Sequence, residues 1–388
     1  MNDSIYTRSE HTELRRQVAR FIAQEVEPHA GAWDAQGFTP RDVLRKMGAL
    51  GWLGLRVPEA DGGAGADMVT NVVFQEALAR STSGGFVITV LVHTDMAGPH
   101  LVNAGSLAQK ARWLPRVLAG EMITAVAISE PDAGSDVAAL RTRAVRDGDH
   151  YVLNGTKLFI TNGVLADLLF VAARTESAAE HGGRSSRGIS IFAVERGTPG
   201  LRVGRQLAKH GWLASDTAEL VFEDCRVPAA NLLSEENNGF YAIMRNFQVE
   251  RIALASMAVG EALTALELTA RYVQERKAFG GTLWDQQTVR QRLTMLAAKV
   301  EAARAFLYQC AWRVDQGNNA VREVSMLKAL TGELVNEVLY DCQQFHGGAG
   351  YMRESPIERL VRDARVLAIG GGATEVMLEE VAKRWQPA

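Results

Sequence analysis

The chain has 388 residues, of which 47% are hydrophobic and 22% charged, and a formal net charge of -3. Such a length supports two or three domains around a large core, and such a balance gives no electrostatic case for nucleic acid or an anionic membrane. The three cysteines, Cys225, Cys310 and Cys342, form no CxxC pair, which argues against a disulfide framework or a thiolate zinc site and suits a reducing compartment.

In chain order, the opening residues lack the basic-then-apolar pattern of a signal peptide, and the longest markedly apolar stretch, Phe86 to Val92, is short for a bilayer; the expected location is the cytoplasm. Residues 1–120 read as a helical domain. Leu14, Val18, Phe21 and Ile22 share one face, with Pro28 ending that segment, and Thr39-Pro40 looks like an N-cap followed by a first-turn proline. Further helices are expected over 69–78, 86–102 and 108–118. The glycine-rich run 58–65 lacks the Lys-Ser/Thr of a P-loop and reads as a connector. From 121 to 232 the period changes. Strands are expected at 123–129, 142–146, 151–153, 168–173, 189–194 and 218–222, with turns at Asp147-Gly148 and Asn154-Gly155. This middle domain reads as antiparallel, with a polar loop over 175–187 and an exit at Arg226-Val227-Pro228. Over 233–388 the helical period returns. Val289, Leu293, Leu296, Val300, Ala303 and Leu307 make one stripe, Met326, Leu330 and Leu334 begin another, and 376–385 is a last helix, which implies a bundle.

Within a helix expected from about Phe240 to Arg276, Ile243, Phe247, Glu250, Leu254 and Met257 recur four, three, four and three residues apart, which puts them on one stripe. Four are apolar and one is a carboxylate. A buried carboxylate needs a partner or a raised pKa. Glu250 therefore reads either as a core-edge acid paired with an Arg or as a base tuned by burial. Five other stretches carry candidate binding residues. The run 127–136, AISEPDAGSD, follows a strand with hydroxyls and glycine, as a connector or a ligand cradle would. Phe159 and Thr161 fall two apart on a strand, a spacing that core packing explains as well as a site does. Arg276-Lys277-Ala278-Phe279-Gly280, with Gln287 beyond, ends the long helix on cations that suit the helix dipole or a pyrophosphate. Gln344-Phe345-His346-Gly347-Gly348 stops a helix on glycines, and His346 has no second metal ligand nearby, so no metal is expected. Finally, Gly370-Gly371-Gly372-Ala373 opens a helix whose free N–H groups suit an anion or oxyanion.

Taken together, AISEPDAGSDVAA, QFHGGAGYMRESPIERLVRD, RKAFG and FEDCRVP resemble the acyl-CoA dehydrogenase flavoproteins over nearly the whole chain. The resemblance implies an α+β multidomain fold: an N-terminal helical domain, a middle β domain and a C-terminal four-helix-bundle-like domain. It implies FAD, an acyl-CoA substrate, an electron-transfer flavoprotein as partner, and a homotetramer of dimers sharing flavin sites. Many members carry a catalytic Glu in the C-terminal loop, where this chain has Gly371. Isovaleryl- and long-chain-type members carry it on the first bundle helix, in a Glu-Arg pair that Glu250-Arg251 matches. Glu250 is thereby the implied base, and Glu375 is not. The implied cofactor residues are Ile128, Ser129, Gly134, Ser135, Phe159, Thr161, Arg276, Phe279, Gln287, Gln344, Gly347, Gly348, Ala373 and Glu375. On the substrate side stand Ser135, Tyr241, Arg251, Gly371 and Gly372, and the glycine loop is expected to widen the acyl cavity. Other activities on the same fold would be an acyl-carrier-protein-linked desaturase, a flavin monooxygenase or oxidase, and a DNA-associated flavoprotein. Glu250 argues against the oxygen-using pair, and the acidic balance against DNA.

Overall fold

The computed structural model describes residues 5–176 and 186–385; most of the expected polar loop over 175–187 lies outside them. Seven helices come first: α1 (Ser9–Phe21), α2 (Ala30–Gln36), α3 (Arg41–Ala49), α4 (Met68–Leu78), α5 (Gly84–Leu91), α6 (Gly98–Ala104) and α7 (Leu107–Leu118). Local chemistry sets several ends. Asp67 accepts the Thr70 N–H at 2.7 Å to start α4, and Ser106 and Gln109 close a reciprocal cap on α7. Two expectations fail here. Pro28 does not end the first helical segment, which passes through a π-helical turn (Ile22–Val26) and a 3₁₀ turn (Glu27–His29) into α2, because a proline in a first turn gives up no helical hydrogen bond. Thr39 does not cap α3 either; its buried hydroxyl donates to the Ala214 carbonyl at 2.7 Å, tying the first helices to the segment between residues 206 and 217.

The sheet holds β1 (Thr124–Ala127), β2 (Arg143–Asp147), β3 (His150–Thr161), β4 (Leu168–Arg174), β5 (Ile189–Glu195), β6 (Leu201–Gln206), β7 (Thr217–Pro228) and β8 (Leu232–Leu233), ordered β6-β7-β3-β2-β4-β5-β8 with β1 beside β4. It is mixed, not antiparallel: β4 pairs in parallel with both β1 and β2. Asn154-Gly155 is not a turn. It lies within β3, where Gly155 (φ 153°) sits at a register shift against β7, and a Cβ there would strike Thr142. Arg226-Val227-Pro228 belongs to β7, and β6, exposed along most of its length, gave no alternating signal.

The remaining helices are α8 (Gly239–Glu275), α9 (Gln287–Asp315), α10 (Val321–His346), α11 (Pro356–Ala364) and α12 (Thr374–Ala382). Between α8 and α9, Lys277–Ala278 pairs with Gly281–Thr282 as the small hairpin β9–β10. The expected stripe on α9 is buried apart from its half-exposed first member, Val289, but that on α10 holds only at Leu334. Leu330 is exposed there, and Val324, Leu327, Leu334, Val335 and Val338 face inward. One apolar cluster joins both helical regions, from Val18, Phe21 and Phe74 to Met257, Leu296 and Leu339; a second lies between helices and sheet and includes Trp113, Phe170 and Ile243. The stretches 84–104 and 239–275 are long and apolar enough to cross a membrane, but 83% and 78% of those windows are buried inside the fold, as expected of core helices.

Where α8 crosses α11, two carboxyls are fully buried. Asp363 accepts the Gly84 and Trp212 N–H groups at 3.0 and 2.6 Å, whereas both Glu261 oxygens lack partners among the described residues. Burial, and secondarily Asp363, push the Glu261 carboxyl well above its usual range. An acid raised in the fold stabilises it below the unfolded pKa and loses that contribution as pH rises. Glu261→Gln is accordingly expected to raise the thermal midpoint, with a gain that widens from pH 5 to pH 8 in parallel melts.

Candidate active site

Glu250 stands on α8 where the two apolar clusters meet: Ile243 and Phe247 pack into the one against the sheet, Leu254 and Met257 into the central one. It is 7% exposed and makes no ion pair among the described residues. Its partner is an amide. Asn246 Nδ2, one turn earlier, donates to Glu250 Oε1 at 2.8 Å. Burial raises the carboxyl to about 7, against the lowering effects of Asn246 and Arg251, with Asp95 adding to the rise. Glu250 is therefore not a core acid held in an ion pair with an Arg; it is an acid whose carboxyl burial raises.

The loop before α12 lies against the same stripe. Gly371 (φ 64°) and Gly372 (φ 104°) take backbone conformations that side chains disfavour. A Cβ on Gly371 would land on the Leu254 Cδ1 methyl, one turn past Glu250, and one on Gly372 would sit 2.5 Å from Met377 Cε. The glycines therefore do not widen this side, contrary to expectation, because Leu254 and Met377 fill the space that their side chains would take. Lys328, buried on α10, donates to the Gly372 carbonyl and anchors the loop. Ala373 precedes α12, Glu375 is exposed in its first turn, and Glu375 and Glu333 oppose the lowering that burial and Arg251 impose on Lys328, which lies at about 8. Arg251 is half-buried, with its guanidinium carbon 5.5 Å from the Phe247 ring, and its Nε has no hydrogen-bond partner among the described residues. Tyr241 is largely exposed, edge-on to Phe240 at 5.9 Å.

A second group forms at the sheet. The loop from Ile128 to Ser135 is held from beneath by a buried ion pair. Lys157 Nζ reaches Glu130 Oε1 at 2.7 Å and the Ile128 carbonyl at 2.9 Å, and Glu130 also accepts the Arg141 and Thr142 N–H groups. The Ser129 carbonyl accepts Leu158 N–H at 2.9 Å. Phe159 is no core residue. It has φ 62°, sits at the register shift between Lys157 and Ile160, and is 67% exposed, while Thr161 beyond the bulge is half-buried. A non-glycine residue held at positive φ on a bulge, with its ring in solvent, marks a ligand surface more than a packing one. Gly134 and Ser135 are exposed, and a Cβ on Gly134 would meet nothing.

The third group is remote. Arg276, Phe279, Gln287, Gln344, Gly347 and Gly348 are all exposed, at the far end of α8. Tyr272 stacks on His346 at 4.3 Å there, which joins the last turns of α8 to the end of α10. Gly347 (φ 57°) and Gly348 have open space where a side chain would stand. From Glu250 to Arg276 is 26 helical residues, about 39 Å at 1.5 Å per residue.

These surfaces fit FAD. An exposed aromatic beside hydroxyls suits a planar ring system, and open glycines beside Arg276, which has no ion pair among the described residues, suit a pyrophosphate. Sequence reasoning missed Asn246, Lys328 and the Glu130–Lys157 pair. An Asn four residues before a core Glu, and a lysine inside the apolar run 326–330, were the signals available.

Family models for acyl-CoA dehydrogenase match in three parts: the N-terminal domain over residues 8–121, the middle domain over 125–225 and the C-terminal domain over 237–386. A long-chain specific acyl-CoA dehydrogenase of Sus scrofa is 41% identical over 97% of this chain and 86% of its own. An isovaleryl-CoA dehydrogenase of Pongo abelii is 37% identical over 95% and 86%. The crystal structure of an acyl-CoA dehydrogenase from Geobacillus kaustophilus superposes with a TM-score of 0.94 at 41% identity, covering 98% of this chain and 99% of that one. Three domain matches in order, on a fold shared end to end, make this chain a member of the acyl-CoA dehydrogenase family, FAD-dependent oxidoreductases.

Proposed function

We propose that this enzyme oxidises an acyl-CoA thioester to the trans-2-enoyl-CoA, with Glu250 taking the α-proton. The observation that carries the proposal is a dry carboxyl at about 7, one turn from the loop that lies across it. A base of that strength suits a weakly acidic C–H far better than an ordinary carboxylate, and general-base catalysis is typically worth about 10²–10⁴-fold. FAD supplies the acceptor for the hydride that leaves the β-carbon. The chain does the rest. Glu250 holds the proton, the Gly371 N–H faces the charge that builds on the thioester oxygen, and the apolar walls around Leu254 and Met257 exclude water. Because Glu250 must be ionised to act, kcat/KM is expected to fall about tenfold per pH unit below about 7 and to level off above it. A flat profile between pH 6 and pH 8 would reject Glu250 as the titrating base.

Electrons then pass to an electron-transfer flavoprotein, and the working unit is a dimer or dimer of dimers. The separation of about 39 Å along α8 supports the second part. It is longer than one dinucleotide reaches, so the Arg276–Gln344 group serves the FAD of a neighbouring copy. Anaerobic flavin bleaching across a panel of straight and branched acyl-CoA thioesters tests the reaction and finds its chain length. Oxygen consumption without an added acceptor, and no bleaching by any thioester, would favour an oxidase instead.

A further inference from the structure

Asn246 is buried, at 5% exposure, and lies on the flank of α8 that faces the π-helical turn Val92–Ala97. Such a turn is rare and frequently found at functional sites. Asn246 Nδ2 bridges to two of its carbonyls, Asp95 O at 3.2 Å and Met96 O at 3.1 Å, as well as to Glu250. Three oxygens around one nitrogen fix the orientation of the amide, since turned about it would set Oδ1 against all three. The turn is in turn braced. The Asp95 carboxylate accepts from Asn71 Nδ2 and Gln75 Nε2 of α4, each at 2.8 Å, and from Thr94 Oγ1 at 2.7 Å. Gln75 Oε1 then accepts Ser256 Oγ at 3.0 Å, back on α8. The network leaves α8 at Asn246, passes through the π turn and α4, and returns at Ser256, with Glu250 between the two ends.

We propose that Asn246 is a positioning residue for the base: it pins one Glu250 oxygen to the π-helical turn and leaves the other free to take a proton. The inference rests on the reading of Glu250 as the base. It has two physical consequences. Glu250 is held in one orientation inside an apolar stripe that offers no other grip, and an N–H donated to the ionised carboxylate favours that form. The charged groups around it divide. Asp95 on the π turn opposes ionisation, and Arg251 on α8 favours it. Farther out, Arg56 faces Asp95, while Glu380 and Arg384 near the C-terminus and Lys328 of α10 face Arg251. Asn246 is the uncharged donor that touches the carboxylate directly.

The test is the pH dependence of kcat/KM in the FAD-loaded enzyme, which reports groups of the free enzyme. Asn246→Leu keeps the shape and removes the donor. It is expected to move the acid limb up by about one pH unit, because a hydrogen bond to a charged group is worth about that much. Activity should then be about tenfold lower at pH 6 and much less reduced at pH 9, with flavin absorbance unchanged. Asn246→Asp, of the same shape but with an acceptor in place of the donor, is expected to move the limb further. A readout without turnover accompanies these. In the Glu250 chain Asn246→Leu should destabilise more at pH 9 than at pH 6; in a Glu250→Gln background it should cost the same at both. A limb unmoved in both variants, or a stability loss independent of pH, overturns the proposal and leaves Asn246 a packing residue. Near-normal flavin bleaching in Glu250→Gln alone would instead reject the reading on which the proposal rests.

Discussion

Glu250→Gln is expected to lower the rate of anaerobic flavin bleaching by an acyl-CoA about 10²–10⁴-fold while the purified protein stays yellow. Gln keeps the length of the side chain and still offers an oxygen to Asn246, whose Nδ2 lies 2.8 Å from Oε1. The pocket is therefore conserved, and what is lost is the ability to accept a proton. The same substitution should stabilise the fold. Glu250 lies at about 7 in the folded chain against 4.5 for an unperturbed carboxyl, so its stabilising contribution is fully present below about pH 4.5 and is lost between there and about pH 7, above which the loss is constant. At pH 8 the difference corresponds to about 3 kcal/mol. Thermal midpoints of flavin-free wild type and Glu250→Gln should coincide near pH 4.5 and separate towards pH 8. Loss of activity with a pH-dependent gain in stability is the signature of a functional charge held in an apolar site. Lost activity with no such gain would place the carboxyl in contact with solvent.

How much of this was legible beforehand depends on range. The four-three-four-three spacing around Glu250 is local and periodic, and α8 spans 239–275 against an expected 240–276. The α10 stripe shows the limit of periodicity, because Met326, Leu330 and Leu334 also recur at helical spacing, yet only Leu334 of the three is buried, beside Leu327 and Val338. Parallel pairing of β4 with β1 and β2 could not be read from composition, since it depends on crossover connections rather than on any residue in the strands. The core-packing reading of Phe159 failed for a subtler reason. Period-two reasoning assumes an unbroken strand, and the bulge after Lys157 turns the ring outward. At the site, the carboxylate was visible as an exception to a pattern, whereas its partners were not. Asn246 acts on carbonyls of a π turn 150 residues away in sequence, and Lys328 on the carbonyl of Gly372.

Moving the base to the loop is expected to fail for a packing reason. In the Glu250→Gln background, Gly371→Glu should restore no bleaching and should lower stability by about 2–5 kcal/mol. About 1–2 of that comes from placing a Cβ at positive φ, and about 1–3 from overpacking. Leu254 is the obstacle. It is 4% exposed and held in the central cluster, and its Cδ1 methyl already stands where the new Cβ would go. Gly371→Ala should show nearly the same loss, because the conflict begins at the first side-chain atom. Adding Leu254→Ala to the Gly371→Glu, Glu250→Gln chain removes the methyl, and the carboxyl can then enter the space one turn from position 250. Bleaching at least tenfold above that of Glu250→Gln is the expected result, checked beside the Leu254→Ala, Glu250→Gln control. If Gly371→Glu worked without the Leu254 change, the loop would be free to move away from α8, and the glycine would reflect nothing about packing. If only the combined variant works, the helix position and the loop position exclude each other sterically: a base on α8 leaves the loop to be filled by Leu254, and the loop glycine is the form that filling requires.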